Sequence, residues 1–382
     1  MNSPIMLLHN ARRKAESVWV KNGPDIRAVF SGTMPRFLKA TTAEEMGNEI
    51  PVFTYHSVEP ELFETHLHYL AENSYTTLDA TQLEECIRRG TKPHSRTIAL
   101  TFDDATGSFW AVAFPLLKKY NFCAILFVIP GLVPDETQSY PNLEDVWNGQ
   151  VSYEEIINRE RTQPLCTWSE LLKMHQSGFV DIQGHTLTHS RINISSRVVD
   201  FIHPEFDPCF FNNIDIPVPR DDSAECPARR FRLGQPIYES ASRLSGKARF
   251  LEDTHITECL VDYVQEQGKE ALFSQSNWRG ILYKEYHNLL STRKIQPKYE
   301  SQQQIKAAIS LELTRSKELL EQRLPDKIIE HLCYPWFQGS LLADRVASEC
   351  GYRSVYYGLE TSQDNSSNSS SAHEPLKIRR IA

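Results

Sequence analysis

No apolar run in the 382-residue sequence approaches the roughly twenty residues that a membrane-spanning helix needs. Nor does the start read as a secretory signal: its apolar stretch, Ile5 to Leu8, is short, and the charges follow it instead of preceding it. There is no C-x-x-C pair. The eight cysteines (86, 123, 166, 209, 226, 259, 333 and 350) are scattered, some inside apolar runs such as NFCAILFVI, where a thiol behaves as a small hydrophobe. A disulfide framework is therefore not expected, and the expectation is a reduced, cytoplasmic protein. An excess of basic residues is missing as well: 41 Lys and Arg stand against 49 Asp and Glu, a net charge of -8. That argues against nucleic acid, which asks for a basic face, and against anionic membranes. A neutral or amine-bearing substrate suits this charge better, and a homo-oligomer stays open.

What is present is ordinary globular composition, 40% hydrophobic and 24% charged, enough to bury a sizeable core. The chain is longer than one average domain, and α/β barrels often take about 200–250 residues as one unit, so one large domain with additions is expected. Residues 1–49 show no clean periodicity and read as an N-terminal extension. From Ile50 strands and helices alternate. PVFTYHSV (51–58) is rich in β-formers, and Phe63, Leu67 and Leu70 then fall at helical spacing. TIALTFDD (97–104) reads as a strand and GSFWAVAFPLLKKY as a helix. CAILFVIP (123–130) lacks polar alternation, as a strand covered on both faces should. TWSELLKMHQSG is a helix stopped by Gly178, and VDIQGHTLTHS a strand running into a loop.

The pattern lapses near residue 196, and 196–324 reads as a large, mostly helical or irregular insertion, a lid or an oligomer contact. Helical spacing returns at Ile305, Ile309 and Leu313. The alternation resumes with IIEHLCYPW, LLADRVASECGY and RSVYYGL, then a serine-rich stretch (362–374) and KIRRIA, a candidate last strand. Strands alternating with helices imply a parallel sheet. The expected fold is α/β, a distorted (β/α) barrel of about seven strands built from 50–195 and 325–382.

Two segments carry chemistry. Asp103 and Asp104 are adjacent acids at the end of an apolar strand, where functional residues collect in parallel α/β folds. Neighbours on an extended chain point to opposite sides, so the two carboxylates can hold different jobs. His185 and His189 lie four apart just past another strand, and converge if that loop makes a helical turn. Paired acids at a strand end often do no more than cap a helix. The histidine pair downstream shifts the reading to a metal site of one carboxylate and two imidazoles, with positions left open for water and substrate. The spare carboxylate is then a ready general base.

TFDD, followed about eighty residues later by HTLTH, resembles the first two motifs of NodB-type polysaccharide deacetylases, carbohydrate esterase family four. PVFTYHSV is similar to the Y-H-x-V strand that opens circularly permuted members, and LCYPWFQGS (332–340) to the third motif. The resemblance implies Asp103 as general base, Asp104, His185 and His189 as metal ligands, and His56 as general acid. It gives Trp336, by its backbone N–H, the role of holding the oxyanion. It also implies a divalent metal, zinc by default with iron, cobalt or nickel fitting as well, and an N-acetylated sugar or polysaccharide as substrate. Two positions depart from the pattern. Ala105 stands where glycine usually follows the acid pair. Cys333 stands where an arginine commonly orients the base. Two other readings compete: an amidohydrolase on small or cyclic amides, and a carbohydrate-binding barrel without turnover. An iron oxygenase of the facial-triad kind is disfavoured, because its H-x-D motif and distant histidine reverse the order found here.

Overall fold

In the computed structural model, residues 35–136, 138–159, 163–206, 231–294, 296–358 and 374–381 are described. In chain order the strands are β1 (Val52–Tyr55), β2 (Thr76–Thr77), β3 (Thr97–Phe102), β4 (Ala124–Val128), β5 (Val180–Gly184), β6 (Arg191–Phe201), β7 (Pro236–Ser242), β8 (Phe250–Leu251), β9 (Lys298–Tyr299), β10 (His331–Cys333), β11 (Ser354–Tyr357) and β12 (Leu376–Arg379). The longer helices are α1 (Pro60–Glu72), α2 (Ala80–Arg89), α3 (Phe114–Tyr120), α4 (Trp168–Ser177), α5 (Thr254–Glu266), α6 (Trp278–Arg293), α7 (Gln302–Arg323) and α8 (Leu341–Glu349). Described residues up to 188, together with those from 310 onward, form one compact unit; residues 189–309 form another.

In the first unit seven strands run parallel in the order β1-β3-β4-β5-β10-β11-β12, with β2 pairing β3 off this path. Ile381, just past β12, accepts from Thr54 N at 2.6 Å and donates to Val52 O at 2.9 Å. First and last strands thus meet, and the expected barrel is nearly closed. Its interior follows from the two-residue period of strands. Val52, Ala99, Ile125, Phe127, Cys333, Tyr356 and Ile378 belong to one buried cluster, with Phe127 and Tyr356 ring centroids 4.7 Å apart. Each large apolar side chain buried there stabilises the fold by about 1.5–3 kcal/mol. Residues of the other parity pack outward under the helices: Phe102 meets Phe63 of α1 at 5.7 Å and Phe109 at 4.7 Å.

Local signals set the helices. Pro60 starts α1, and capping boxes start α2 (Asp79 with Gln82) and α4 (Thr167 with Glu170). Gly90 and Gly178 end α2 and α4 in the left-handed conformation, Gly178 as the sequence predicts. The helix expected over GSFWAVAFPLLKKY begins with a π turn, Phe109–Ala113, before α3. Pro115 has no N–H to give to the preceding turn, which favours such a widening.

In the second unit the segment that looks irregular holds a long antiparallel pair, β6 with β7, and a short one, β8 with β9. Register shifts between Asn193 and Val198, and again before Asp200, interrupt the alternation of β6 and hide it from a pattern search. Phe201, Tyr238, Ile256, Leu260, Leu282 and Tyr286 form part of this unit's own core, contributed by β6, β7, α5 and α6. The spacing of Ile305, Ile309 and Leu313 is realised on α7, where all three are fully buried. No helix among the described residues is long and apolar enough to cross a membrane. Residues 1–34 of the expected extension, and 362–373 of the serine-rich stretch, lie outside the described residues.

Candidate active site

β3 delivers the two acids to different places. Asp103 shares the parity of Ala99 and Thr101 and turns inward, almost fully buried. The chain then breaks from strand geometry: Asp104 and Ala105 both adopt left-handed backbone, φ 68° and 57°. That break swings the second carboxylate away from the first. The turn is anchored by Cys166 N to Ala105 O at 2.8 Å and Gly107 N to Pro164 O at 2.7 Å.

His185 follows β5 and is buried, its N–H held by Val128 O at 2.8 Å. The HTLTH segment makes no helical turn. Thr186 and His189 take positive φ, 63° and 49°, and these two residues fold the loop so that the histidines converge. Gly131 N donates to Leu187 O at 2.8 Å, and a side chain at Gly131 would collide with that carbonyl.

Ligand atoms of Asp104, His185 and His189 all lie within 4.8 Å of one another, and His185 Nε2 is 3.4 Å from Asp104 Oδ1. His185 Nδ1 is 2.9 Å from Cys333 O, which can only accept, so Nδ1 carries a proton and Nε2 is the nitrogen that turns toward Asp104. This donor set fits a divalent cation: one carboxylate oxygen and two imidazole nitrogens, largely shielded from water. Burial alone would lower the His185 pKa, but Cys333, Asp104 and Asp103 outweigh it and raise it well above the usual histidine range. A bound cation would take that proton's place.

Asp103, His185 and Cys333 also bring ligand atoms within 4.8 Å. A cation there would face a guanidinium, because Arg380 sits 2.8 Å from Cys333 Sγ and contacts Asp103 with two nitrogens. Burial also raises the Cys333 pKa and keeps it a thiol. The first trio is the electrostatically sound one.

Arg380 is the residue that the sequence reading misses. Its Nη1 and Nη2 meet the two oxygens of Asp103 at 2.6 and 2.8 Å, and Nη1 also donates to Thr101 Oγ1 at 3.2 Å. Burial would raise the Asp103 pKa; the Arg380 charge outweighs it, helped by His185, and holds the carboxyl below its ordinary range. The arginine absent at position 333 is thus supplied from the end of β12. A signal was there: with Ile378 inside, Arg380 two residues on must also point inward, and a buried guanidinium needs a carboxylate.

His56, half exposed, places Nε2 4.0 Å from Asp103 Oδ2, and its carbonyl accepts from Thr106 Oγ1 at 3.1 Å. Trp336 lies in the turn after Pro335, with φ 52°, followed by Phe337 at 57°. That turn abuts the Asp103 pair, since the Phe337 ring lies 5.1 Å from the Arg380 guanidinium. Asp344 steadies it from behind, accepting from Tyr334 at 3.0 Å and from Tyr357, with Lys377 3.0 Å away. His203 packs with its ring 5.3 Å from Trp278 in the second unit.

The polysaccharide deacetylase family profile matches residues 90–201. Over 89 residues the chain is 30% identical to YxkH of Bacillus subtilis (strain 168), provisionally named a polysaccharide deacetylase. That stretch covers 21% of this chain and 32% of the relative. Over 118 residues it is 25% identical to the poly-β-1,6-N-acetyl-D-glucosamine N-deacetylase of Escherichia coli (strain K12), covering 31% of this chain and 16% of that protein. The chain therefore spans about a third or less of the length of these curated relatives. A solved de-N-acetylase from Aggregatibacter actinomycetemcomitans overlays with a TM-score of 0.49 at 14% identity, covering 87% of this chain and 94% of that one. The match over residues 90–201 takes in both the acid pair and the two histidines, and over this stretch the chain is similar to the polysaccharide deacetylase family.

Proposed function

We propose that the protein is a metal-dependent hydrolase that removes N-acetyl groups from a sugar or polysaccharide. The observation that carries this reading is the convergence of Asp104, His185 and His189, with Asp103 beside them and His56 4.0 Å from Asp103. Asp104, His185 and His189 would hold a divalent cation, zinc being the first candidate, which when bound acidifies water and polarises the acetamide carbonyl. Asp103, kept ionised by Arg380, takes the proton of the attacking water. His56 gives a proton to the sugar amine as the C–N bond breaks. The Trp336 N–H is assigned to the oxygen that gains charge in the tetrahedral state. The family match and the N-deacetylase relative support the class of reaction.

The test measures metal content and acetate release for the wild type and His185→Ala over a panel of N-acetylated oligosaccharides. The wild type should hold about one divalent ion per chain and release acetate; the variant should lose both. Equal metal content in the two proteins overturns the reading.

A further inference from the structure

The loop that carries both histidines has little regular structure to hold it. Its chain passes through two left-handed residues, and residues 185–189 lie in no helix or strand. His185 is tied to Val128 O and Cys333 O, and two further contacts hold the stretch between the histidines. One is the Gly131 N–H on Leu187 O. The other is Glu312, whose Oε2 accepts the Thr188 N–H at 3.0 Å while its Oε1 accepts the Thr188 hydroxyl at 2.8 Å. One carboxylate thus fixes both the backbone and the side-chain rotamer of the residue next to His189.

We propose that Glu312 is a positioning residue for the metal centre: by clamping Thr188 it sets His185 and His189 for the cation. The inference rests on the reading of those histidines as ligands. Glu312 is only 1% exposed, in the interior of the 22-residue helix α7, between the fully buried Ile309 and Leu313. A carboxylate so placed has little freedom to swing away, and its bonds to Thr188 transmit that rigidity to the loop. Burying a carboxylate is costly, and a loop needing only to be solvated could face water instead. The arrangement matches the general physics of metal sites, in which residues behind the ligands fix ligand orientation and their loss weakens metal binding about 10–100-fold.

The experiment measures zinc affinity by competition with a chromogenic chelator, together with thermal melting of the metal-free forms. It compares wild type, Glu312→Ala, Glu312→Gln, Thr188→Val, the Glu312→Ala/Thr188→Val double variant and His185→Ala. Glu312→Ala is expected to weaken zinc binding about 10–100-fold. Glu312→Gln still accepts the Thr188 N–H and should recover most of that loss. Thr188→Val should weaken binding by less than Glu312→Ala, and the double variant should bind no more weakly than Glu312→Ala, because the two residues share one contact. A folded Glu312→Ala with wild-type zinc affinity overturns the clamp. If that variant does not fold, Thr188→Val decides, and wild-type affinity there overturns it equally. His185→Ala separates the two possible failures. If it binds zinc as tightly as the wild type, the metal centre itself is wrong and the clamp falls with it. If it loses zinc while Glu312→Ala and Thr188→Val keep it undiminished, the clamp alone falls.

Discussion

Arg380 and Asp103, 277 positions apart in sequence, meet inside the barrel in a two-point contact of 2.6 and 2.8 Å. Both are buried, so the pair exchanges its charges in a medium where they interact strongly and where either one alone would be costly. Barrel closure makes the contact: β12 reaches Asp103 only because it returns to the side of β1, next to β3.

Arg380→Ala should therefore do more than trim a charge. With Arg380 gone, His185 and His56 are left to oppose burial, so the Asp103 pKa should rise and the base form that the proposed mechanism needs should survive only at higher pH. The acid limb of the kcat/KM profile should move up, with a loss of roughly 10²-fold or more near neutrality. Stability in urea should fall by about 3–5 kcal/mol, the usual cost of leaving a buried charge alone. An acid limb that stays where the wild type has it would show that Arg380 does not set the charge state of Asp103.

Most barrel strands, most helices and the acid and histidine pairs were legible because each depends on local pattern. Apolar runs such as AILFV fix β4, and Gly178 marks the end of α4. The acid pair and the histidine pair announce themselves by spacing. Arg380 and Glu312 were not legible in the same way. Each acts through a partner more than a hundred residues away, and only the closed barrel and the position of α7 bring those partners together. The shape of the histidine loop was also beyond pattern, since positive φ at Thr186 and His189 breaks the expected spacing rule without any glycine to mark it. β6 was missed because its register shifts break the alternation on which strand recognition rests.

Ala105 answers the question raised by the glycine it replaces. It sits at φ 57°, fully buried, with its carbonyl held by Cys166 N. Ala105→Gly would relieve about 1–2 kcal/mol of left-handed strain. Against this, it would lose about 0.8 kcal/mol of buried methyl and free the unfolded chain by about 0.4–1 kcal/mol. These effects nearly cancel, so urea unfolding should show the variant within about 1 kcal/mol of the wild type. Ala105→Val puts a β-branched side chain into the same backbone with no room for it and should lose both metal and activity. A fully active valine variant would mean that the turn does not set Asp104.

The barrel carries a pH-sensitive residue away from its chemistry. His331, at the start of β10, is fully buried, with Nδ1 2.7 Å from Ser354 Oγ and Nε2 3.3 Å from Thr81 Oγ1. Burial pushes its pKa down to about 4; Asp181 opposes the shift, while Arg353, Lys327 and Lys317 add to it. The folded protein therefore keeps this ring neutral, whereas the unfolded chain takes up a proton near the ordinary histidine value of 6.5. Between those two values the unfolded state binds more protons. The contribution is thus complete above about pH 6.5 and is lost as pH falls toward about 4, on the order of 3 kcal/mol in all. His331→Gln keeps a hydrogen-bonding side chain but cannot titrate. Urea midpoints measured from pH 7 to pH 4 should fall less steeply for the variant than for the wild type, most of the divergence appearing below pH 6.5. The other acids and histidines titrate in both proteins and drop out of the difference. Parallel stability curves would show that His331 is protonated in the fold as readily as outside it, and that its burial in β10 has no linkage to pH.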